Sequence, residues 1–173
     1  IENEDCEEQI LTPGMDDEIF SRTKVPMTKN EVRVLSISRL ELTKKAVVYD
    51  VGSGTGSVSV ECARLSPDIA VFAIEQKEEA ANLTKENAVR LGLSDQIMVI
   101  NKKAPEGFEE LPTPTHVFIG GSSGALSDIL SAIQKKLIVK ENTKGVRVVI
   151  NAVSLETIAQ ITKLIQTYPV KHV

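Results

Sequence analysis

Five short apolar runs alternate along the chain with stretches of helical periodicity, and this alternation constrains the fold more than any other feature. The runs cover residues 46–50, 70–74, 97–100, 116–119 and 146–150. Each run is almost continuously apolar, which is typical of strands buried on both faces of a parallel sheet. Because parallel strands need crossover connections, the pattern predicts an α/β domain with a doubly wound, Rossmann-like sheet and right-handed crossovers.

Helical periodicity predicts the crossover helices between these strands. We expect helices over residues 58–65, 79–91, 126–137 and 155–168. A further helix precedes the first strand. There, Thr28 followed by Glu31 has the spacing of a capping box and predicts a helix that runs to about Leu42. Residues 14–173 therefore form one predicted domain behind an acidic, patternless leader at residues 1–13.

Length and charge limit the classes of function. With 173 residues, 18.8 kDa and 42% hydrophobic content, the chain has the size of one ordinary domain. Its net charge of −4 lacks the basic excess of nucleic-acid binders, so we expect no nucleic-acid partner. No apolar run approaches the roughly 18 residues of a membrane span, and Cys6 and Cys62 lack a C-x-x-C spacing. We therefore predict a cytoplasmic protein with free thiols, no metal site and no membrane partner.

A Gly-rich turn after the first predicted strand carries the strongest functional signal. It reads Asp50-Val51-Gly52-Ser53-Gly54-Thr55-Gly56, and the first βα turn is where doubly wound sheets usually anchor a ligand. A dinucleotide fingerprint needs G-x-G-x-x-G, but position 57 is Ser57. The spacing therefore favours the amino-acid part of S-adenosylmethionine over the pyrophosphate of NAD. Asp50 or a nearby carbonyl would accept the ammonium group, and the glycines would let the ligand approach backbone N–H groups.

Two further strand ends complete the predicted cofactor site. Glu75 follows the second strand, 25 positions after Asp50, where an acid can accept hydrogen bonds from both ribose hydroxyls of an adenosine. Residues 101–107 follow the third strand and border the position of an adenine ring. Lysines stand at 102 and 103, where many methyltransferases have an acid, so we expect backbone groups around Ala104 to bind the adenine. The alternatives are a structural glycine loop and a solvated acid at a strand end.

Three segments together resemble one family of methyltransferases. They are residues 26–33 (P-M-T-K-N-E-V-R), the turn at residues 50–57, and residues 117–124 (V-F-I-G-G-S-S-G). They resemble the precorrin methylases of cobalamin biosynthesis that methylate carbon 15 of the tetrapyrrole and decarboxylate the acetate on ring C. The resemblance runs from about Gly14 to Tyr168. Its first and third segments are more particular than the turn, which class I methyltransferases share.

The resemblance implies a role for particular positions. It assigns the methionine part, ribose and adenine of S-adenosylmethionine to the residues just described, and it adds Thr28 as a cofactor contact. It places the methyl acceptor against Gly120, Gly121 and Ser122. It also implies a seven-stranded class I sheet that ends in an antiparallel hairpin, a homotetramer, and an enzyme found alone or fused behind a carbon-5 methylase.

The two ends of the chain differ from that pattern. Only five strands and an apolar stub at Val170 are evident, so we expect the C-terminal strands of the sheet to be truncated. The linker-like start of the chain suits the fused form of the enzyme.

Binding a precorrin requires a local basic patch, because a precorrin carries many carboxylates while the domain is net negative. Lys29 and Arg33 are spaced i, i+4, so they share one face of the predicted first helix. Arg22 and Lys24 precede them. We expect Lys29 and Arg33 to bind the carboxylates of the acceptor, and the alternative is a solvated helix face.

No catalytic residue is predicted from the sequence. The sulfonium of S-adenosylmethionine is a strong electrophile, so methyl transfer needs in-line placement of the nucleophile more than an acid or a base. His116 in a strand and His172 near the end of the chain favour structural or exposed roles. Three alternatives remain: a class I methyltransferase for another small molecule, RNA or protein; a nucleotide-binding regulatory module; and an NAD-dependent oxidoreductase, which the glycine spacing disfavours.

Overall fold

The second and third strands of the sheet lie on one side of the first strand, and the fourth and fifth lie on its other side. The computed structural model describes residues 12–139 and 145–168, which contain five parallel strands in the order β3-β2-β1-β4-β5. The strands are β1 (Val47–Val51), β2 (Ala70–Ile74), β3 (Ile97–Ile100), β4 (His116–Ile119) and β5 (Arg147–Ile150). Because β2 and β4 flank β1, the switch point where such sheets bind ligands lies beyond the carboxyl ends of β1 and β4.

Helices cover both faces of the sheet, which confirms the predicted doubly wound α/β architecture. They are α1 (Asn30–Leu40), α2 (Ser57–Arg64), α3 (Glu78–Arg90), α4 (Leu126–Val139) and α5 (Leu155–Leu164). Among the described residues, no helix is both long enough and apolar enough to span a membrane. The predicted stub at Val170, the start of the leader, Cys6 and His172 lie outside the described residues.

Alternate residues of each strand contribute to two separate cores, as expected for a pleated sheet. Val48 faces the core formed with α1, α2 and α3, which also contains Cys62 as a buried apolar residue. Tyr49 faces the core formed with α4 and α5, and its hydroxyl donates to the Pro112 carbonyl (2.7 Å). Cys62 is a free thiol, as predicted, and it belongs to the first of these two cores.

The predicted capping box at Thr28 is wrong. The N-cap of α1 is Lys29, which has extended backbone and makes no capping hydrogen bond through its side chain. The Thr28 carbonyl instead accepts a hydrogen bond from Nη1 of Arg33 (2.7 Å). At its other end α1 stops at Leu40, two residues earlier than predicted, because Glu41 adopts a left-handed conformation and pairs with Arg147 of β5 (2.6 Å).

A buried ion pair anchors the N-terminal segment, residues 14–28, to the helices. Nε of Arg33 donates to Oε1 of Glu61 (3.0 Å), and both side chains are fully buried. The Glu61 carboxylate also accepts the N–H groups of Gly14 (3.0 Å) and Met15 (2.9 Å). Nη1 of Arg33 lies 3.1 Å from Asp17. The segment is thereby held against α1 and α2 before it crosses to the carboxyl end of the sheet.

We expect Arg33→Met to lower the free energy of unfolding by roughly 3–5 kcal/mol, because it removes the nearer counter-charge of the buried Glu61 carboxylate and leaves only Arg64, at 3.7 Å. Arg39→Met, an exposed arginine of the same helix, should change it by less than about 0.5 kcal/mol. Chemical denaturation of both variants measures the difference. Equal stability of Arg33→Met and the wild type would show that the ion pair does not anchor the segment.

Candidate functional site

A cleft of about 310 Å³ lies at the switch point, beyond the carboxyl ends of β1, β2 and β4. We call it the switch-point cleft. Val25 and Pro26 of the N-terminal segment form part of its wall. The predicted site residues that line it are Gly52, Gly54, Glu75, Ala104, Gly120, Gly121 and Ser122. The tertiary structure therefore brings three predicted strand ends and the Gly-rich turn to one surface.

The glycines of the turn allow other parts of the protein to approach its backbone. A Cβ atom at Gly52 would lie 2.7 Å from the carbonyl oxygen of Gly121, and one at Gly54 would lie 2.7 Å from the carbonyl oxygen of Pro26. Both glycines also have positive φ angles, +74° and +59°. The sequence interpretation assigned the missing Cβ atoms to ligand approach. The structure shows that they also let the residue after β4 and the N-terminal segment pack against the turn.

The Glu75 carboxylate is held in a single orientation at the wall of the cleft. Its Oε2 accepts the N–H of Gly54 (3.1 Å) and its Oε1 accepts the N–H of Lys77 (2.9 Å). The residue is 8% exposed, and Asn101 donates to its carbonyl (2.8 Å). Each carboxylate oxygen keeps capacity for a further donor, since each can accept two hydrogen bonds. Glu75 is therefore a preorganised acceptor for hydroxyl groups.

Asp50 lies behind the turn and does not line the cleft. Its Oδ2 accepts a hydrogen bond from the Ser59 hydroxyl, whereas Oδ1 has no partner among the described residues. Burial, with a smaller contribution from the nearby charge of Glu75, raises the pKa of Asp50 to about 6. Asp50 therefore does not contact an ammonium group in the cleft directly. Of the two predicted acceptors, this leaves the nearby carbonyl. Asp50 can act on the cleft through its field alone.

Ser53, Thr55 and Gly56 shape the turn from behind and are absent from the lining of the cleft. The Ser53 hydroxyl lies 3.2 Å from the hydroxyl of Thr84, and Thr55 is fully buried. Thr28, the predicted cofactor contact from the N-terminal segment, also lies outside the lining. Val25 and Pro26, earlier in the same segment, line the cleft instead.

The predicted substrate patch of Lys29 and Arg33 does not exist as a free surface. Arg33 is fully buried and bonded to Glu61, Asp17 and backbone carbonyls, so its assignment to the substrate is wrong. Lys29 is exposed, but it pairs with Asp17 (3.1 Å) and does not line the switch-point cleft. The cationic side chains that do line the switch-point cleft are Lys77, Lys102 and Lys103.

A second cavity, of about 460 Å³, adjoins the switch-point cleft. The two cavities share residues 120–123 and Val153. The second cavity extends over the carboxyl ends of β4 and β5 to the first turns of α5. There it presents the polar side chains of Asn151, Ser154, Thr157 and Gln160 and the acidic side chain of Glu156. Sequence reasoning missed this wall, although its position directly after the fifth predicted strand indicated that it would face the site.

Comparison with known proteins gives the family of this chain. Residues 18–170 match the family model described as precorrin methyltransferase domain. A probable cobalt-precorrin-6B C(15)-methyltransferase (decarboxylating) of Pyrobaculum calidifontis is 42% identical over 149 residues, which cover 85% of this chain and 73% of that protein.

Two solved structures are similar over most of their length. The precorrin-6Y C5,15-methyltransferase of Geobacter metallireducens has a TM-score of 0.80 at 34% identity, covering 90% of this chain and 78% of that one. The precorrin 8W decarboxylase of Methanobacterium thermoautotrophicum has a TM-score of 0.79 at 34% identity, covering 88% and 79%. The predicted class I methyltransferase fold is confirmed, and the chain belongs to the precorrin methyltransferase family.

Proposed function

We propose that this chain is an S-adenosylmethionine-dependent methyltransferase that methylates carbon 15 of a precorrin and decarboxylates the acetate on ring C. The observation that carries the proposal is the pair of adjoining cavities at one switch point. One contains the Gly-rich turn and Glu75, and the other opens from it past residues 120–123. The reaction is the one for which the Pyrobaculum relative is named.

The Gly-rich turn and Glu75 of the switch-point cleft suit the chemical groups of S-adenosylmethionine. When bound, this cofactor supplies a methyl group activated by a cationic sulfonium. The backbone of Gly52 and Gly54 would hold its methionine part, Glu75 its ribose hydroxyls, and backbone groups at Ala104 its adenine. Asp50 behind the turn and Glu75 in the wall give this region two acids, which favours a ligand with an ammonium and a sulfonium group.

The second cavity would hold the part of the tetrapyrrole that reacts. Asn151, Ser154 and Thr157 can donate hydrogen bonds to its polar groups. Ile119 and Ile150 add an apolar wall, which would desolvate a neighbouring acetate carboxylate and favour its loss as neutral carbon dioxide. No histidine or cysteine among the described residues lines either cavity, so the contribution of the chain would be to position the acceptor carbon.

Lys77, Lys102 and Lys103 would meet the carboxylates of the precorrin. S-adenosylmethionine is itself cationic, so three lysines around its cleft favour an additional anionic partner, although Lys102 also pairs with Glu110 (3.9 Å). An acceptor that overlaps the cleft and carries several carboxylates supplies that charge. These lysines take the role that the sequence interpretation gave to Lys29 and Arg33.

The family resemblance supports three further proposals: a cytoplasmic location, a homotetramer, and fusion to a carbon-5 methylase in the whole protein. Val32 and Leu35 are exposed apolar residues on α1 and would suit a contact between subunits.

The direct test of the proposed function is incubation of the protein with labelled S-adenosylmethionine and a precorrin pool. Mass spectrometry should find a product that has gained one methyl group and lost one carbon dioxide. Gain of the methyl group without loss of carbon dioxide would confine the function to methyl transfer. No turnover despite cofactor binding would favour the regulatory module.

Glu75→Gln should weaken binding of S-adenosylmethionine by roughly 1.5–3 kcal/mol, because a charge-assisted hydrogen bond to the ribose is lost. Glu86→Gln is the matched control, since Glu86 is exposed on α3 and lines neither cavity. Isothermal titration calorimetry measures both variants. An unchanged affinity in Glu75→Gln would remove the ribose assignment.

Affinity for S-adenosylmethionine should fall as the pH drops through about 6, because the raised pKa of Asp50 leaves its side chain neutral below that value and ionised above it. A cationic ligand gains from the ionised form. A loss of about tenfold, equivalent to about 1.4 kcal/mol, is expected between pH 7.5 and pH 5. Asp50→Asn should bind weakly at both values, and the same pH slope in this variant would exclude Asp50 as the titrating group.

The Michaelis constant for the precorrin should rise with ionic strength, since attraction between exposed charges is screened over about 10 Å at 0.1 M salt. Replacing Lys77, Lys102 and Lys103 together by glutamine should raise the constant at low salt and flatten this dependence. The control replaces Lys44 and Lys45, exposed lysines that precede β1 and line neither cavity. A wild-type salt slope in the triple variant would place the carboxylates elsewhere.

A further inference from the structure

Helix α3 carries two fully buried polar residues one turn apart, Thr84 and Asn87. They interrupt a buried face that is otherwise made of alanines and a leucine, including Ala80, Leu83 and Ala88. A polar group buried without a partner costs stability, so such residues are retained where they form specific bonds. Their partners are segments of the switch-point cleft.

The amide of Asn87 bonds two segments at once. Its Oδ1 accepts the N–H of Ser21 (2.8 Å), and its Nδ2 donates to the carbonyls of Ser21 (3.0 Å) and Thr55 (2.8 Å). The orientation of the amide is unambiguous, because a backbone N–H can only donate and a carbonyl can only accept. Ser21 belongs to the N-terminal segment and Thr55 to the Gly-rich turn. Asn87 therefore joins the segment that contributes one wall of the cleft to the turn that contributes another.

The polar contacts of Thr84, unlike those of Asn87, are with the Gly-rich turn only. Its hydroxyl donates to the carbonyl of Gly54 (3.0 Å) and lies 3.2 Å from the Ser53 hydroxyl. Its methyl group packs so closely on Gly56 that a Cβ there would lie 2.7 Å away. The turn is thus already supported by α3 without Asn87. What Asn87 adds is a connection to the N-terminal segment.

The position of Ser21 makes that connection relevant to the cleft. The bonds from Glu61 hold Gly14 and Met15, at the beginning of the segment. Ser21 lies four residues before Val25, which with Pro26 lines the cleft. Glu79 of the same helix also holds this part of the segment, since its Oε1 accepts the hydroxyl of Thr23 (2.6 Å). Asn87 is therefore one of the α3 side chains that hold the part of the segment leading into the cleft wall, and it also bonds to the turn.

We propose that Asn87 is a positioning residue that couples the N-terminal segment to the cofactor turn. This inference rests on the proposed function, since it takes the cleft to bind S-adenosylmethionine. A ligand on the turn stabilises the conformation to which Asn87 bonds, and that bond in turn stabilises the placement of Val25 and Pro26. Because coupling between sites is reciprocal, correct placement of the segment raises the affinity for the ligand.

The test compares Asn87→Ala with Gln96→Ala, using S-adenosylhomocysteine as the probe. Gln96 is a matched control because its amide also donates to three backbone carbonyls, those of Ala63, Ser66 and Ile69, but lines neither cavity. The measurements are the melting temperature, the dissociation constant by calorimetry, and hydrogen exchange of residues 14–28 with and without the probe. Asn87→Ser, a smaller change, serves if Asn87→Ala does not fold.

Both substitutions should lower the melting temperature, since each removes hydrogen bonds. Asn87→Ala should weaken probe binding about tenfold, within the usual range of coupling energies. Gln96→Ala should leave binding within about twofold of the wild type. In the wild type the probe should slow exchange of the Ser21 amide, and at saturating probe Asn87→Ala should lose that protection.

The outcomes separate this inference from the proposed function. Wild-type protein that does not bind S-adenosylhomocysteine would overturn the proposed cofactor and the coupling with it. Normal binding by the wild type together with unchanged affinity in Asn87→Ala would overturn the coupling alone. An equal loss of affinity in Gln96→Ala would do the same, because it would show that general destabilisation accounts for the effect.

Discussion

The close approach of three segments to the backbone of the Gly-rich turn is the constraint on which the rest of the site depends. Gly52 touches the backbone of Gly121 after β4, Gly54 touches that of Pro26, and Gly56 touches Thr84 of α3. A side chain at any of the three positions would separate the turn from its neighbour. The contacts of Gly52 and Gly54 therefore bring Gly121 and Pro26 against the turn, where they form walls of the switch-point cleft.

The two acidic residues beside the Gly-rich turn, Asp50 and Glu75, lie in different environments. Asp50 is buried behind the turn with one oxygen that has no partner in the described part of the chain, a costly state, whereas both oxygens of Glu75 accept backbone N–H groups. The folded state binds the Asp50 proton more tightly than the unfolded chain does, so this group lowers stability as the pH rises towards 6. A cationic ligand in the cleft would offset that cost. The unfavourable burial of Asp50 is thus consistent with a role in binding.

Positions that depend on local pattern were predictable. The strands and helices lie within a few residues of the predicted positions, because hydrophobic period and strand length are local properties. Glu75 was placed at the cleft because parallel strands end at one edge of the sheet, and residues 120–122 were placed at the site by the family resemblance. Thr84 and Asn87 were missed, although two polar residues in the buried stripe of α3 were a readable signal. Their partners, Gly54, Ser21 and Thr55, are distant in sequence and could not be inferred from spacing.

The sequence by itself determined the fold class, the family and the strand ends that form the cleft, since each follows from local period or from a short motif. Only the tertiary structure decided which charged side chains face solvent and which form ion pairs in the protein interior. The i, i+4 spacing put Lys29 and Arg33 on one helix face but carried no information on where that face points. Glu61, 28 positions after Arg33, brings the buried carboxylate that turns Arg33 inward. A charged side chain is buried or exposed according to the partner that folding brings to it, and that partner is not a local property of the chain.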